Sequence, residues 1–327
     1  MRKKSLSKAA LLKFAGLAVL AVLAVLVAFL ALRPVQAEPI SQEQASRIEV
    51  AQAEASERAA SEKALSERVA RCLGAPTRDP ATGCANEDLG SVVYPQRPAD
   101  DAKAYCWTNA GNQPLDSCHY GNRTADAKRI AVVGDSHARH LMPGLEAVAD
   151  AEKWAIDSYF GNGCSLTVVP LDACATAGAE IIPALTQGKP YDIVVVSVSR
   201  RKAVDVDGVT SAIKRVQATG AKVVIMEDVP TTTPEAVACS TAKGFDVKST
   251  RCGVSTEGMK ADLMVELGKG RGIGVGVISP YFCDAGWCPS VIGNAHVYAD
   301  DGAHLTATYS RTVGPYVAAA IKAAAQL

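Results

Sequence analysis

The stretch IAVVGDSHARHL, residues 130–141, places a polar turn directly after a run of apolar residues. Ile130–Val133 is short, apolar and rich in β-branched residues, which is typical of a strand buried on both faces of a sheet. Gly134, Asp135 and Ser136 interrupt this run, and a helix-like pattern follows them. Ligands of open α/β sheets bind beyond the carboxyl ends of the strands, so the pattern predicts that Ser136 lies at a functional edge.

From Arg129 onward, apolar strand-like runs alternate with helix-forming segments. The predicted strands are 130–133, 154–159, 193–198, 222–228 and 274–278. The predicted helices are 138–153, 178–187, 206–219, 256–269 and 306–325. Runs such as DIVVVSV and AKVVIME are apolar throughout, as expected for strands covered on both faces. The alternation predicts a three-layer α/β fold around a parallel sheet.

The N-terminal residues have the pattern of a membrane anchor. Residues 1–13 carry five basic side chains, and the run from Phe14 to Leu32 contains no charged residue. At about 1.5 Å per residue, a transmembrane helix over 14–33 nearly spans a hydrocarbon core of about 30 Å. A cleaved signal peptide is the alternative, because Val35–Ala37 resembles a cleavage site, but its apolar region is normally shorter. The basic cluster predicts a cytoplasmic N-terminus at the cell membrane, with the rest of the chain outside.

Three further regions follow the predicted anchor. Residues 34–71 are rich in Ala, Glu, Ser and Arg and poor in large apolar residues, which predicts a solvated helical stalk. A coiled coil is the alternative, although no sustained heptad repeat is present. Residues 72–128 combine Pro, Gly, Asp and Asn with four cysteines, and we expect a disulfide-rich extension without its own core. Residues 129–327 form the predicted α/β domain.

All ten cysteines follow the predicted anchor, and outside the cytoplasm this favours disulfide bonds. No CxxC pair occurs and the histidines are not spaced with the cysteines, so we expect no metal site. Scattered buried thiols are the alternative interpretation. Pairing neighbours in sequence gives five short loops: Cys72–Cys84, Cys106–Cys118, Cys164–Cys174, Cys239–Cys252 and Cys283–Cys288.

Ser136 has candidate catalytic partners near the other end of the chain, in YADDGAHLTATYS. A serine is a weak nucleophile unless a base accepts its proton and a third group orients that base. Asp301 and His304 are three residues apart, so one tight loop can present both side chains. We predict that His304 is the base and Asp301 its orienting carboxylate, with Asp300 as the alternative. The prediction requires the sheet to bring this loop to the edge that carries Ser136.

Other polar residues near these motifs have predicted structural roles. We expect Asp135 to hydrogen-bond within its turn, and His137 and His140 to pack or hydrogen-bond locally. His119 and His296 lie in irregular, cysteine-bearing segments, which predicts that both are surface residues.

GDSH after the first strand, with D-x-x-H-L-T before the last helix, resembles the SGNH (GDSL-like) hydrolase superfamily. More closely, VVGDSHARHLMPGLEAVA, GCSL and CDAGWCPS…VYADDGAHLT resemble the extracytoplasmic SGNH domains that are fused to, or work beside, acyltransferase family three membrane proteins. The resemblance covers about residues 72–327. It implies a flavodoxin-like SGNH catalytic domain with Ser136 as nucleophile, His304 as general base and acid, and Asp301 as the orienting carboxylate.

The resemblance also implies an oxyanion hole. In the superfamily its donors are the backbone N–H of the serine, a glycine after the second strand and an asparagine after the third. The N–H groups of Ser136 and Gly163, with the side chain of Asn162, fit the first two positions. The third strand here ends in SVSRR, without the expected Gly-x-Asn-Asp, and Arg200 occupies about the place where close relatives carry an arginine.

The implied function is that of a membrane-anchored, outward-facing serine O-acyltransferase. An acyl-Ser136 intermediate would pass an acyl group, taken to be acetyl, to hydroxyls of envelope glycans or glycolipids. Acyl-CoA is confined to the cytoplasm, so the expected donor partner is a multi-span acyltransferase family three membrane protein. An O-acylesterase on the same substrates and a non-catalytic glycan-binding module are the alternatives. We expect no cofactor, and a net charge of zero gives no electrostatic argument for nucleic acid.

Overall fold

The computed structural model describes residues 41–109, 113–170 and 172–326. The chain divides into two units, residues 1–60 and 61–327. Helix α1 (Gln42–Cys72) begins in the first unit and ends in the second, and it covers most of the predicted stalk. The predicted cytoplasmic tail and membrane anchor lie outside the described residues. Among the helices that are described, none has the length and apolar character needed to cross a bilayer.

A six-stranded sheet forms the centre of the second unit, and its strand order is β1-β3-β2-β4-β5-β7. All neighbouring strands are parallel except β1 and β3, which are antiparallel. The five parallel strands follow the order 2-1-3-4-5 of flavodoxin-like folds, which confirms the predicted α/β class. The strands of the chain are β1 (Ser117–Gly121), β2 (Lys128–Gly134), β3 (Trp154–Phe160), β4 (Ile193–Ser197), β5 (Lys222–Met226), β6 (Gly253–Ser255), β7 (Gly274–Gly276), β8 (Trp287–Pro289), β9 (Val291–Ile292) and β10 (Ala295–His296).

Helices cover both faces of this sheet and enclose two hydrophobic cores. Alternate side chains of β2 enter opposite cores: Ile130 and Val132 face one, and Ala131 and Val133 face the other. Helices α3 and α8 cover the first face, and α4, α5 and α7 cover the second. The helices after α1 are α2 (Ser136–Arg139), α3 (Met142–Ala149), α4 (Ala175–Thr186), α5 (Val206–Gln217), α6 (Pro234–Thr241), α7 (Leu263–Arg271) and α8 (Ala307–Ala325).

Two helix predictions differ from the structure, and one further helix was not predicted. The predicted helix over 138–153 is interrupted, and α2 and α3 replace it. Pro143, in the first turn of α3, has no backbone N–H with which to continue the preceding turn. The predicted helix over 256–269 begins only at α7, where the Asp262 side chain accepts hydrogen bonds from two N–H groups of the first turn. Helix α6 was not predicted.

The disulfide-rich extension over 72–128 contains regular secondary structure. It contains short 3-10 helices at Ala75–Arg78, Pro80–Thr82 and Pro98–Asp100, and it ends in β1 at the edge of the main sheet. Tyr94 and Thr108 make further isolated bridges to residues 295 and 161. This segment therefore packs on the α/β domain, and it also contains a small buried cluster of Cys72, Cys84 and Leu89.

All five predicted disulfides are present in the structure. They join Cys72–Cys84, Cys106–Cys118, Cys164–Cys174, Cys239–Cys252 and Cys283–Cys288. Each bond joins cysteines that are consecutive in sequence and closes a loop of 5 to 13 residues. No free cysteine is found in the described part of the chain.

His296 is buried, and the prediction that it lies on the surface was wrong. Only 4% of it is exposed, and its Nδ1 lies 3.3 Å from the Ser240 hydroxyl. Burial lowers the pKa of His296 from 6.5 to about 4, while the charge of Asp300 acts weakly in the opposite direction. The imidazole is therefore neutral in the folded protein at pH values where the unfolded chain already carries a proton.

This difference predicts that the protein loses stability as the pH falls from 6.5 to 4. In that window the unfolded chain binds more protons than the folded one, so protonation favours unfolding by up to about 3 kcal/mol for this one group. Urea denaturation at pH values between 7.5 and 4.5 measures the effect. The free energy of unfolding of His296→Asn should fall less steeply than that of the wild type. Parallel curves for the two proteins contradict the prediction.

Candidate active site

Ser136 is the first residue of α2 and lies just beyond the carboxyl end of the central strand β2. Gly134 makes this position possible. Its φ of 152° is unfavourable for residues with a side chain, and a Cβ at this position would collide with the Ser197 carbonyl oxygen of β4. The glycine of the GDSH motif therefore lets the strand end approach its neighbour closely, and the next turn presents the serine.

Asp135 holds the turn together, as the sequence predicted. Its buried carboxylate accepts hydrogen bonds from the N–H groups of His137 at 2.9 Å and Ser199 at 3.2 Å. The ammonium group of Lys202 lies 3.3 Å from the same carboxylate. These contacts cap α2 and join it to the segment after β4, so Asp135 fixes the position of Ser136 without facing it.

The structure brings the two predicted motifs together, although they are 168 residues apart in the chain. The Nε2 atom of His304 lies 2.7 Å from the hydroxyl oxygen of Ser136. The Nδ1 atom of His304 is hydrogen-bonded to the Asp301 carboxylate. Because Nδ1 then carries the proton, Nε2 is free to accept the serine proton.

A tight turn allows one loop to supply both Asp301 and His304. Gly302 has a left-handed φ of 64°, and its N–H donates to the Ala299 carbonyl at 3.0 Å. The Ala299 N–H donates in turn to the His304 carbonyl at 2.8 Å. Asp301 Oδ1 also accepts the N–H groups of Ala303 and His304, at 2.9 and 3.0 Å. The backbone of the loop therefore orients the Asp301 carboxylate towards the imidazole of His304.

These hydrogen bonds set the charge of Asp301. Burial raises the pKa of its carboxyl group, but hydrogen bonds from the His304 side chain and from the backbone of His304 and Ala303 outweigh it. The net result is a pKa well below the ordinary value. Asp301 therefore remains negatively charged at neutral pH, as a group that stabilises an imidazolium must.

A buried carboxylate, for which no role was predicted from the sequence, supports the neighbour of the serine. Asp228, two residues after the end of β5, accepts a hydrogen bond from His137 Nδ1 at 2.6 Å. Its other oxygen accepts the backbone N–H of Arg200 at 2.8 Å, and the Arg200 guanidinium donates to the Asp228 carbonyl. The Asp228 N–H donates to the Asp262 carboxylate at 2.7 Å. One available signal was the position of Asp228 at the carboxyl end of a predicted strand.

His140 completes a cluster of three imidazoles beside Ser136. Its ring centroid lies 5.0 Å from that of His137 and 6.1 Å from that of His304. Nδ1 accepts the Leu305 N–H at 3.4 Å, whereas the buried Nε2 has no hydrogen-bond partner among the described residues. Burial, and secondarily the neighbouring imidazoles, lowers the pKa of His140 well below its ordinary value, so this ring is neutral.

His137, His140 and Asp228 could each offer a ligand atom to a metal ion, and these atoms lie within 4.8 Å of one another. The Nε atom of Arg200, however, lies 3.6 Å from an Asp228 carboxylate oxygen. A fixed positive charge on the same carboxylate opposes binding of a cation. The arrangement therefore fits a hydrogen-bonded support for the serine turn better than a metal centre.

Two of the predicted oxyanion donors are free to act. Within the described residues, no acceptor is found for the N–H groups of Ser136 and Gly163, whereas the Asn162 N–H donates to the Thr108 carbonyl at 3.2 Å. The Asn162 side chain is exposed. The guanidinium of Arg200 donates to backbone carbonyls beside it, so its part in an oxyanion hole remains a prediction.

The loops that flank the serine strand enclose a small cavity of about 30 Å³. Gly163 and Cys164 line it from the loop after β3, and Val198 and Lys202 line it from the segment after β4. Val209 of α5 also contributes to the lining. The volume is enough for about two water molecules, or for a group of similar size.

A serine, a histidine and an aspartate at the carboxyl edge of a flavodoxin-like sheet define a class of serine-dependent acyl-transfer or ester-hydrolysing proteins. The family model of the SGNH domain that is fused to AT3 (acyltransferase-3) domains matches residues 103–319. The chain therefore belongs to this family, whose superfamily typically contains esterases and acyltransferases. Comparison with curated proteins gives no significant match.

Proposed function

We propose that the protein is an outward-facing serine O-acyltransferase that acetylates hydroxyl groups of cell-envelope glycans or glycolipids. The observation that carries the proposal is the continuous hydrogen-bonded chain from Asp301 through His304 to Ser136, with 2.7 Å between Nε2 and the serine oxygen. Such a chain can form and break an ester bond without a cofactor.

In the first half of the reaction, Ser136 takes the acyl group from its donor. His304 Nε2 accepts the hydroxyl proton while the serine oxygen attacks the acyl carbonyl. The N–H groups of Ser136 and Gly163 would stabilise the oxyanion that forms, and one such donor typically contributes about 100- to 1,000-fold in rate. The imidazolium, stabilised by the Asp301 carboxylate, then protonates the leaving oxygen, and acetyl-Ser136 remains.

In the second half, a hydroxyl of the acceptor takes the place of the departed donor. His304 accepts its proton, the acceptor oxygen attacks the acetyl carbonyl, and the proton returns to the Ser136 oxygen as the ester bond to the enzyme breaks. Water can perform the same step, which would make the protein an O-acylesterase. Membership of the family of AT3-associated domains is the reason to prefer transfer to a glycan.

The small cavity favours a short acyl group. Gly163, a proposed oxyanion donor, lines this cavity of about 30 Å³, which would accommodate the methyl of an acetyl group, whereas longer chains would force the loops apart. Acetyl donors in the cytoplasm would have to be reached through a separate multi-span acyltransferase family three protein. The proposed anchor at residues 14–33 would hold the domain beside that partner.

Turnover of acetyl and butyryl esters by the full-length protein tests the proposal. With p-nitrophenyl acetate as donor, adding maltotriose or trigalacturonic acid should divert acetyl groups from water to the sugar, as seen by mass spectrometry. The butyryl ester should react about tenfold more slowly, the effect of an overfilled pocket. Acetate release that ignores both sugars would instead assign the protein as an esterase. Folded protein that neither cleaves the esters nor reacts with a fluorophosphonate would be a glycan-binding module.

A further inference from the structure

A groove of about 490 Å³ lies next to the loop that carries Asp301 and His304. Its floor is the segment Thr231–Thr233 and its far wall is the segment 254–260. The Thr232 N–H donates to the Gly302 carbonyl at 2.9 Å, and Gly302 packs against the backbone of Thr233. The groove therefore begins at the turn between the two catalytic side chains, and its volume is that of a small-ligand site.

Two residues that line the groove carry buried polar atoms without a partner in the described part of the protein. Thr232 is 4% exposed, and its hydroxyl oxygen has no hydrogen-bond partner within the described residues. The buried Nε of Arg200 also lacks one, since its nearest carboxylate oxygen lies 3.6 Å away. Both atoms lie beneath the accessible surface, so the groups that a ligand in the groove can reach are the exposed side chains around its mouth.

The mouth of the groove is positively charged. Arg201 and Lys260 are exposed on it, and neither forms an ion pair with a carboxylate in the described part of the chain. Arg200 is balanced by Asp228, and Glu257 is the acidic residue of the lining. The two unpaired basic side chains outnumber the one acidic side chain, so the groove has a local positive charge although the whole chain has no net charge.

The two sides of the groove are fixed relative to each other. The Cys239–Cys252 disulfide joins α6, which follows Thr233, to the residue before β6, which leads into the far wall. Val254 and Met259 add apolar surface to that wall. Apolar surface beside polar atoms suits a sugar, whose C–H faces and hydroxyl groups alternate, and a preformed site lowers the entropy lost on binding.

We propose that this groove binds the acyl acceptor and that the acceptor is a saccharide with anionic groups, either carboxylates or phosphates. The inference rests on the proposed function, since a bound saccharide is an acyl acceptor only if the protein is a transferase. Binding of an anionic saccharide can nevertheless be measured without turnover. Arg201 and Lys260 contact the anionic groups.

Isothermal titration calorimetry on the full-length protein tests this assignment with matched probes. Trigalacturonic acid carries carboxylates, its methyl ester is the neutral equivalent, and glucose 1-phosphate presents a phosphate. We expect at least one anionic probe to bind fivefold or more tightly than the methyl ester, roughly the effect of two exposed charge contacts. The probe that binds identifies the anionic group.

The double variant R201Q/K260Q should lose this preference for anionic probes, so that acid and methyl ester bind equally. The control K243Q/R271Q removes two exposed charges elsewhere and should keep the preference, which excludes a general effect of net charge. Equal binding of charged and neutral probes by the wild type, or a preference that survives in R201Q/K260Q, overturns the inference. Failure of acetyl transfer with intact anion binding would contradict the transferase function and leave the groove assignment standing.

Discussion

Ser136→Ala is expected to reduce cleavage of p-nitrophenyl acetate by about 10⁴- to 10⁶-fold, because it removes the hydroxyl that would carry the acyl group. In the wild type, His304 Nε2 at 2.7 Å is ready to accept the serine proton. Alanine leaves the imidazole, Asp301 and the backbone donors in place but removes the nucleophile. A fluorophosphonate probe gives a second readout, since it should label the wild-type protein covalently at Ser136 and leave the variant unlabelled.

Ser158→Ala is the matched control for this loss. Ser158 is fully buried within β3, and its hydroxyl has no hydrogen-bond partner among the described residues. Its removal should leave labelling and ester cleavage within about twofold of the wild type, since no interaction is lost. Cleavage that persists in folded Ser136→Ala at more than one hundredth of the wild-type rate contradicts the assignment of the nucleophile.

Asp301→Asn is expected to lower the rate by about 10³- to 10⁴-fold while leaving the fold intact. The asparagine oxygen can still accept the N–H groups of Ala303 and His304, so the loop keeps its shape. The NH₂ group of the asparagine, however, would donate a hydrogen bond to Nδ1 of His304. This favours the imidazole tautomer that carries its proton on Nε2, and that nitrogen cannot then accept the proton of Ser136. The pKa of Asp301 lies well below its usual range, so ordinary changes of pH will not mimic this substitution.

Asp300→Asn is the control, because this neighbour is the other carboxylate that the sequence offers. Its side chain is exposed, and the contacts with His304 come from Asp301. Rates for Asp300→Asn should stay within about threefold of the wild type, as for most exposed substitutions. A larger loss in Asp300→Asn than in Asp301→Asn would reverse the assignment of the orienting group.

Much of this site follows from short-range sequence patterns. The apolar run before Ser136 predicts a central strand, and five such runs predict the parallel sheet that the structure contains. The three-residue spacing of Asp301 and His304 predicts one loop. The meeting of the two motifs follows from the topology, because the carboxyl ends of parallel strands share one edge of the sheet.

Other features depend on contacts between distant segments and leave little trace in the sequence. The edge strand β1 reads SCHYG, and its exposed and half-buried positions alternate without a continuous apolar run. The role of Asp228 appears only when β5 lies near the turn that carries His137. His296 was assigned to the surface because its segment is irregular, yet the segment is covered by other parts of the domain. In each case, the structure or burial of the residue depends on tertiary packing and cannot be predicted from the local sequence pattern.

The short span of every disulfide has a consequence for biosynthesis. Because each bond joins consecutive cysteines no more than 13 residues apart, each can close as soon as its own segment has emerged, before the sheet exists. Such small rings restrict the unfolded chain only locally. None of them ties the segment of Ser136 to that of His304, so the alignment of nucleophile and base depends on the packing of α8 against the sheet rather than on covalent bonds.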